Sequence, residues 1–248
     1  MRLVICLWCL FFSQFALASE AEKTNRLRTF TVHLNKVLEK TDLALLAAND
    51  LLTNQNSLNG AVIEATLERY VKRIPAVRSI IVTEADGTLV FDTHRKISTK
   101  KTAGSPSINL RDRDYFIGAT IDRKTQIYKP VIGRSSGVKF IPMSRPVYVD
   151  NDLKYVIVAI ISPNRLIHPS AMETSYGGVS IYKKSGDLLA VFPDGVNIPS
   201  GFYKSLGVGR VLEKKNIVPF HKQFADSRWS ENELYDLVVV YTELMPSS

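Results

Sequence analysis

No cysteine follows Cys9, and both cysteines of the 248-residue chain lie within its first ten residues. Past that point no disulfide can form, and no thiolate is available as nucleophile or metal ligand. The hydrophobic core alone must hold the body of the protein together. Histidine is nearly as scarce. His33, His94, His168 and His221 are scattered, and none has a second ligand-type residue at metal spacing. Also missing are a G-x-S-x-G elbow, an H-E-x-x-H helix, a phosphate loop and a dinucleotide fingerprint. The glycines and lysine of GRSSGVKF, 133–140, are off the spacing of a phosphate loop and read as a turn between two strands. These absences argue against an enzyme, and neither a metal nor a cofactor is expected.

One long apolar run occurs at the N-terminus, where MRLVICLWCLFFSQFALASEAEK has Arg2, then Leu3 to Leu10, then Ala16-Leu17-Ala18. A short basic start, an apolar centre and small residues at the cut form the layout of a secretory signal, with cleavage after Ala18. The run is short of the roughly 20 residues of a membrane-spanning helix. An uncleaved N-terminal anchor is the alternative. Either way the body leaves the cytoplasm, for a periplasmic location. Lys and Arg number 32 against 24 Asp and Glu, a net charge of +8. The excess is dispersed, and its densest stretch, HRKISTKKT at 94–102, reads as a solvated basic loop. Without any binding signature, nucleic acid is not an expected partner, whereas anionic headgroups or acidic ligands suit a basic surface.

From Thr24 to Leu52 the residues Leu27, Phe30, Leu34, Val37, Leu38, Leu45, Ala48 and Leu52 recur at helical spacing with no Pro or Gly between them. TNQNSLNG, 53–60, ends that helix, and AVIEATLERYVKRI forms a second one, stopped by Pro75. Short β-rich runs follow. SIIVTEADGTLVFDT, 79–93, predicts a hairpin about Asp86-Gly87, and TQIYKPVIG, KFIPMSRPVYV and LKYVIVAII predict three more strands. HPSAMETSYG reads as a connection. GVSIYKKSGDLLAVFP, 178–193, then repeats the first hairpin with Gly186 in place of Gly87, which suggests two sheet lobes of similar design. ELYDLVVVYTEL is the expected last strand. The fold class is α+β: a long N-terminal helix beside two antiparallel sheet lobes.

INLRDRDYF, 108–116, crowds two arginines, two aspartates and two aromatic rings between apolar neighbours. The residues alone leave three readings: a solvated turn, a catalytic cluster, or the wall of a pocket. Asp112 and Asp114 alternate with Arg111 and Arg113, so each carboxylate has a neutralising partner, which favours ionised and unreactive groups.

LRDRDYF, followed by YKPVIGRSSGVKFIPMSRPVY, YVIVAIISPNRL and GVSIYKKSGDLLAVFP, resembles the double Cache (tandem PAS-like) extracellular sensor of bacterial chemoreceptors, histidine kinases and diguanylate cyclases. The resemblance covers roughly residues 25–245. It implies a signal peptide at 1–18, a stalk helix and second helix at 19–74, a membrane-distal lobe at 75–168 and a membrane-proximal lobe at 169–248. It also implies a small-ligand pocket in the distal lobe, with Arg113, Asp114, Tyr115 and Phe116 in its wall and Tyr128, Ser144 and Arg145 on facing strands. A guanidinium would clamp a carboxylate, and the rings would supply apolar walls. The alternative is a structural Arg-Asp pair with both rings in the core.

Amino-acid-binding members carry an Arg-x-Trp-Tyr form of the motif and an aspartate where this chain has Ser162, so a carboxylate or other anion is expected in place of an amino acid. Members also continue into a cytoplasmic output module, whereas this sequence stops at Ser248. The expectation is a sensor that signals through a membrane partner protein, with a homodimer through the long helix as a further possibility. A ligand-free structural or inhibitory partner of an envelope signalling protein is the alternative.

Overall fold

The structure, a computed structural model, describes residues 2–54, 60–94, 108–167, 177–193, 198, 202–206 and 224–244. All but His94 of the basic stretch, all but Gly177 of the connection after the third predicted strand, and His168 and His221 lie outside the described residues. The chain opens with α1 (Arg2–Thr53) and α2 (Gly60–Arg73). Then come β1 (Val77–Glu84), β2 (Leu89–Asp92), α3 (Asp114–Ile121), β3 (Gln126–Ile127), β4 (Val131–Ile132), β5 (Lys139–Val149) and β6 (Asp152–Ile161). After a 3-10 turn at Pro163–Arg165, the chain continues through β7 (Gly177–Lys183), β8 (Leu188–Phe192), the short α4 (Phe202–Ser205), β9 (Phe224–Asn232) and β10 (Leu237–Leu244). Among the described residues no helix is long and apolar enough to cross a membrane.

Two compact units result. One comprises Met1–His33 with Ile167–Ser248, the other Leu34–Leu166. The first unit has a four-stranded sheet in the order β8-β7-β10-β9, and the second a six-stranded sheet in the order β2-β1-β6-β5-β3, with β4 also on β5. All pairings are antiparallel. The expected α+β class, a long N-terminal helix with two antiparallel sheets, is what the chain adopts. α1 begins at Arg2, well ahead of Thr24. Its buried positions Leu27, Phe30, Leu34, Leu38, Thr41, Leu45, Ala48 and Leu52 recur every three or four residues, as one helix face requires. Thr41 is tolerated there because its hydroxyl donates to the Val37 carbonyl at 2.8 Å.

The two predicted hairpins share one design. In each, a glycine with φ near +90° closes the turn: Gly87 at +87° and Gly186 at +96°. Glu84 N–H donates to the Thr88 carbonyl and Gly87 N–H to that of Glu84; Lys183 N–H donates to Asp187 and Gly186 N–H to Lys183. Both pairs of strands carry a register shift just before the turn. β5 and β6 join through Asp150 (φ 52°) and Asn151 (φ 66°), the two positive-φ positions of a tight hairpin turn, where Asn and Asp are favoured.

β9 was not expected. FADSRWSEN lacks an apolar alternation, as suits a strand that, among the described residues, pairs at the sheet edge with β10. The last strand is also shorter than the sequence suggested: Tyr235 and Asp236 lie in the turn between β9 and β10, where Tyr235 N–H donates to the Asn232 side chain at 3.0 Å.

Gly87 does more than supply a positive φ. A Cβ there would meet the backbone N of Arg111 at 2.6 Å, whereas one at Gly137 (φ +64°) would meet nothing within 4 Å. Both alanine variants carry the left-handed strain, and only Gly87→Ala must also push the 108–111 strip away. Denaturant midpoints should place Gly87→Ala lower in stability than Gly137→Ala by ~1 kcal/mol or more. Equal losses would contradict the close approach.

Candidate functional site

Alternation along the strands of the second unit gives its sheet two faces. Ser79 and Ile81 of β1, Phe140, Pro142 and Ser144 of β5, and Val156, Val158 and Ile160 of β6 share one; register pairs Ile81 with Val158, Ser79 with Ile160 and Ser144 with Val158. Ile141, Met143 and Arg145 of β5 belong to the other, opposite Ile161, Ala159 and Ile157. α3 covers the first face. Its Tyr115, Phe116 and Ala119 join Ile81, Leu110, Phe140, Val156, Val158 and Ile160 in one buried cluster.

The sequence hardly announces α3. Arg113, its N-cap, makes no capping bond through its side chain, and DYFIGATI contains a glycine and β-branched residues. Packing decides instead. A Cβ on Gly118 would fall 2.4 Å from the Tyr128 ring, so glycine lets the helix lie against that ring. The strip before α3 is pinned to the first hairpin: Leu89 N–H donates to the Ile108 carbonyl and Leu110 N–H to that of Gly87, both at 2.9 Å.

Between this strip, the β1–β2 hairpin and the turn from Gly133 to Val138 lies a cavity of about 240 Å³. Its apolar wall includes Ile81, Leu89, Leu110, Tyr115, Phe140 and Ile160. Arg78, Arg113 and Arg134, together with Asp92 and Ser79, are among its polar lining, which also includes His94, Ser135 and Ser136. The three arginines differ. Arg134 is committed: it is paired with the Asp112 carboxylate, which that bond holds below the usual carboxylate range, and it donates to the Asn109 carbonyl at 2.9 Å. Arg113 donates one N–H to the Ile132 carbonyl at 3.2 Å, while its Nε is buried with no partner among the described residues. Arg78, half-buried, has no hydrogen bond or ion pair among them. The Asp92 carboxylate accepts from the Ser79 hydroxyl at 2.8 Å and from His94 N–H at 2.9 Å.

Of the seven residues expected in the pocket, Arg113 and Tyr115 line this cavity. Tyr115 meets Phe140 edge-on, with ring centroids 6.1 Å apart, and burial raises its phenol pKa against the pull of Arg113. Asp114 points out to Lys129 in a solvated ion pair at 3.0 Å. Phe116 is core. Tyr128 packs on α3, its phenol pushed up to about 12 by burial although the nearby Ser144 hydroxyl acts the other way. Ser144 is fully buried, donating to the Tyr115 carbonyl at 2.8 Å. Arg145 belongs to the opposite face, next to Asp42 of α1. Neighbours in a strand cannot share a face, so Ser144 and Arg145 could not both have entered one cavity.

Arg78, Asp92 and Arg134 were missed. A charged residue just inside the apolar run of β1 was the available signal for Arg78. Ser162 is not in the wall, whereas the Asp92 carboxylate of β2 is.

No family model matches the sequence, and no curated protein matches it. Solved structures do. The chain is similar to the extracellular domain of rpHK1S-Z16, assigned as a histidine kinase, at 18% identity and a TM-score of 0.71 over 92% of this chain and 97% of that one. It is similar to the ligand-binding domain of the Pseudomonas aeruginosa PAO1 amino acid chemoreceptor PctC, in complex with GABA: 14% identity, TM-score 0.65, 92% and 100% covered. A third is the sensory domain of the Campylobacter jejuni chemoreceptor Tlp3 with isoleucine bound, at 11% identity and a TM-score of 0.59 over 94% and 96%.

The buried phenols give the stability a pH dependence. An unfolded tyrosine ionises near pH 10, whereas Tyr128 and Tyr182 are both held at about 12 in the folded chain. Between those values the folded chain keeps protons that the unfolded chain has released. Stability is therefore full below pH 10 and falls as pH rises towards 12. Urea midpoints across this range should fall less steeply for Tyr128→Phe than for the parent chain; parallel curves would mean that Tyr128 is solvated. In architecture, the chain has the fold of the extracellular domains of chemoreceptors and histidine kinases to which it is similar.

Proposed function

We propose that this chain is a periplasmic sensor domain of the double Cache type, exported by its N-terminal signal, and that it binds a small organic acid in the cavity of the second unit. It works in signal transduction with a membrane signalling protein. The observation that carries the reading is Arg113: a guanidinium whose Nε is buried without a partner among the described residues, in the wall of a largely apolar cavity. Such a group is costly to bury unless an acceptor meets it. A ligand carboxylate would satisfy it in the planar, two-pronged manner guanidinium favours, with Arg78 as the second cation. The ligand's apolar body would lie on Ile81, Tyr115, Phe140 and Ile160.

Asp92 sets the finer preference. A carboxylate in the same cavity disfavours a second anionic group on the ligand and favours a hydroxyl or ammonium donor there. The absence of an aspartate at Ser162 is thus no longer a reason to set amino acids aside. Support for the sensing role comes from the fold, from the neighbours whose structures hold GABA or isoleucine, and from the export layout of residues 1–18.

A thermal-shift screen of the full chain against monocarboxylates, hydroxy acids, amino acids, dicarboxylates and phosphate esters tests this. A compound at 100 times its dissociation constant adds ~2.7 kcal/mol, and each kcal/mol raises the melting temperature of a chain this size by roughly 2–4 °C. The expected hit is a monocarboxylate bearing a donor group, with the shift lost in Arg113→Ala and the preference for the donor lost in Asp92→Asn. Silence across the panel, with Arg113→Ala merely less stable, would leave Arg113 a scaffold residue and transfer the search to protein partners.

A further inference from the structure

Ser144 and Arg145 stand outside the cavity, yet each fixes something that matters to it. The Ser144 hydroxyl, fully buried, donates to the carbonyl of Tyr115, a residue of the cavity wall. On the reverse face of the strand Arg145 Nη1 donates to the Thr125 hydroxyl at 2.7 Å, and that hydroxyl donates in turn to Asp42 of α1. One dipeptide thus holds α3 with one side chain and α1 with the other. β5 lies between β6 and β3 in the sheet, so it cannot tilt at one residue without carrying the next.

The α1 side of this joint has slack. Arg145 and Asp42 approach to only 3.8 Å, too far for a direct hydrogen bond, and the Arg145 Nε is buried with no partner among the described residues. A relative movement of about 1 Å would turn the relayed contact into a direct charge-assisted bond. A half-buried cation with a donor to spare thus faces a carboxylate just beyond its direct reach.

We propose that Ser144 and Arg145 are positioning residues that couple the cavity wall to α1: the placement of Tyr115 and α3 depends on how closely Arg145 holds Asp42, and the reverse. Coupling between sites is reciprocal, so it can be read without any ligand by perturbing α1 and observing α3. This goes beyond the binding proposal, and a chain that binds no small molecule could still pass the test.

Native-state hydrogen exchange of the full chain provides the measurement, with amides of β6 as the reference for global opening. Asp42→Asn should speed exchange at the α3 amides 117–121 by ~5-fold or more relative to that reference, the lower end of usual coupling strengths. Asp50→Asn, exposed on the same helix, should leave those amides unchanged. In a Ser144→Ala background Asp42→Asn should have no further effect on α3, and Ser144→Thr, which keeps the hydroxyl, should restore it. Should Ser144→Ala fail to fold, Thr125→Val cuts the relay elsewhere and should speed α3 exchange as Asp42→Asn does, without adding to it. An effect of Asp42→Asn confined to α1 and β3, or one undiminished in Ser144→Ala, would overturn the coupling.

Discussion

A strand cannot turn two neighbouring side chains to the same side, and the second unit is organised by that constraint. Every strand of its six-stranded sheet that reaches the cavity also presents alternate residues to the opposite face. The face with Ser79, Ile81, Phe140 and Ile160 becomes the back wall of the cavity. The face with Ile141, Met143 and Arg145 is closed off from it, and there Arg145 lies beside Asp42 of α1. Because β5 is one rigid ladder between β6 and β3, what happens on one face is geometrically tied to the other.

Against this sheet the cavity is an apolar space with cations at its edge. Apolar side chains provide most of its wall, so a guanidinium that points in has few ways to be satisfied. Arg134 avoids the problem by pairing with Asp112 at the solvated rim. Arg113 does so only in part, through the Ile132 carbonyl. A core selected for stability alone would put an aliphatic side chain at that position, since replacing buried charge with well-packed apolar residues is often neutral or stabilising. On the proposed reading, that charge serves a bound anion.

Much of the fold was legible because its signals are local. Asp86-Gly87 and Ser185-Gly186-Asp187 name their turns, and β1, β5, β6 and β10 are apolar enough to stand out. α3 was not legible as a helix, because its stability comes from Phe116 and Ala119 meeting the sheet and from Gly118 admitting the Tyr128 ring, none of which is a local preference. β9 was hidden by its polarity. For the site, the RDYF stretch pointed to Arg113 and Tyr115, while nothing in it could tell that Asp114 faces solvent or that Phe116 is core. Arg78 and Asp92 come from strands whose sequences read as ordinary sheet. They join the site only through the fold, across a hairpin and some 20 to 35 residues from Arg113.

The central claim is that Arg113 and Arg78 await an anion in an apolar cavity. Its most direct measurement is an NMR titration of the arginine Nε–Hε groups with butyrate, a carboxylate with a short apolar body. The account predicts saturable shifts at Arg113 and Arg78, while Arg123, which lies on the Tyr148 ring 4.8 Å from its centroid, stays in place. An Arg113 signal that never moves, or a common linear drift of all the arginines, would contradict it.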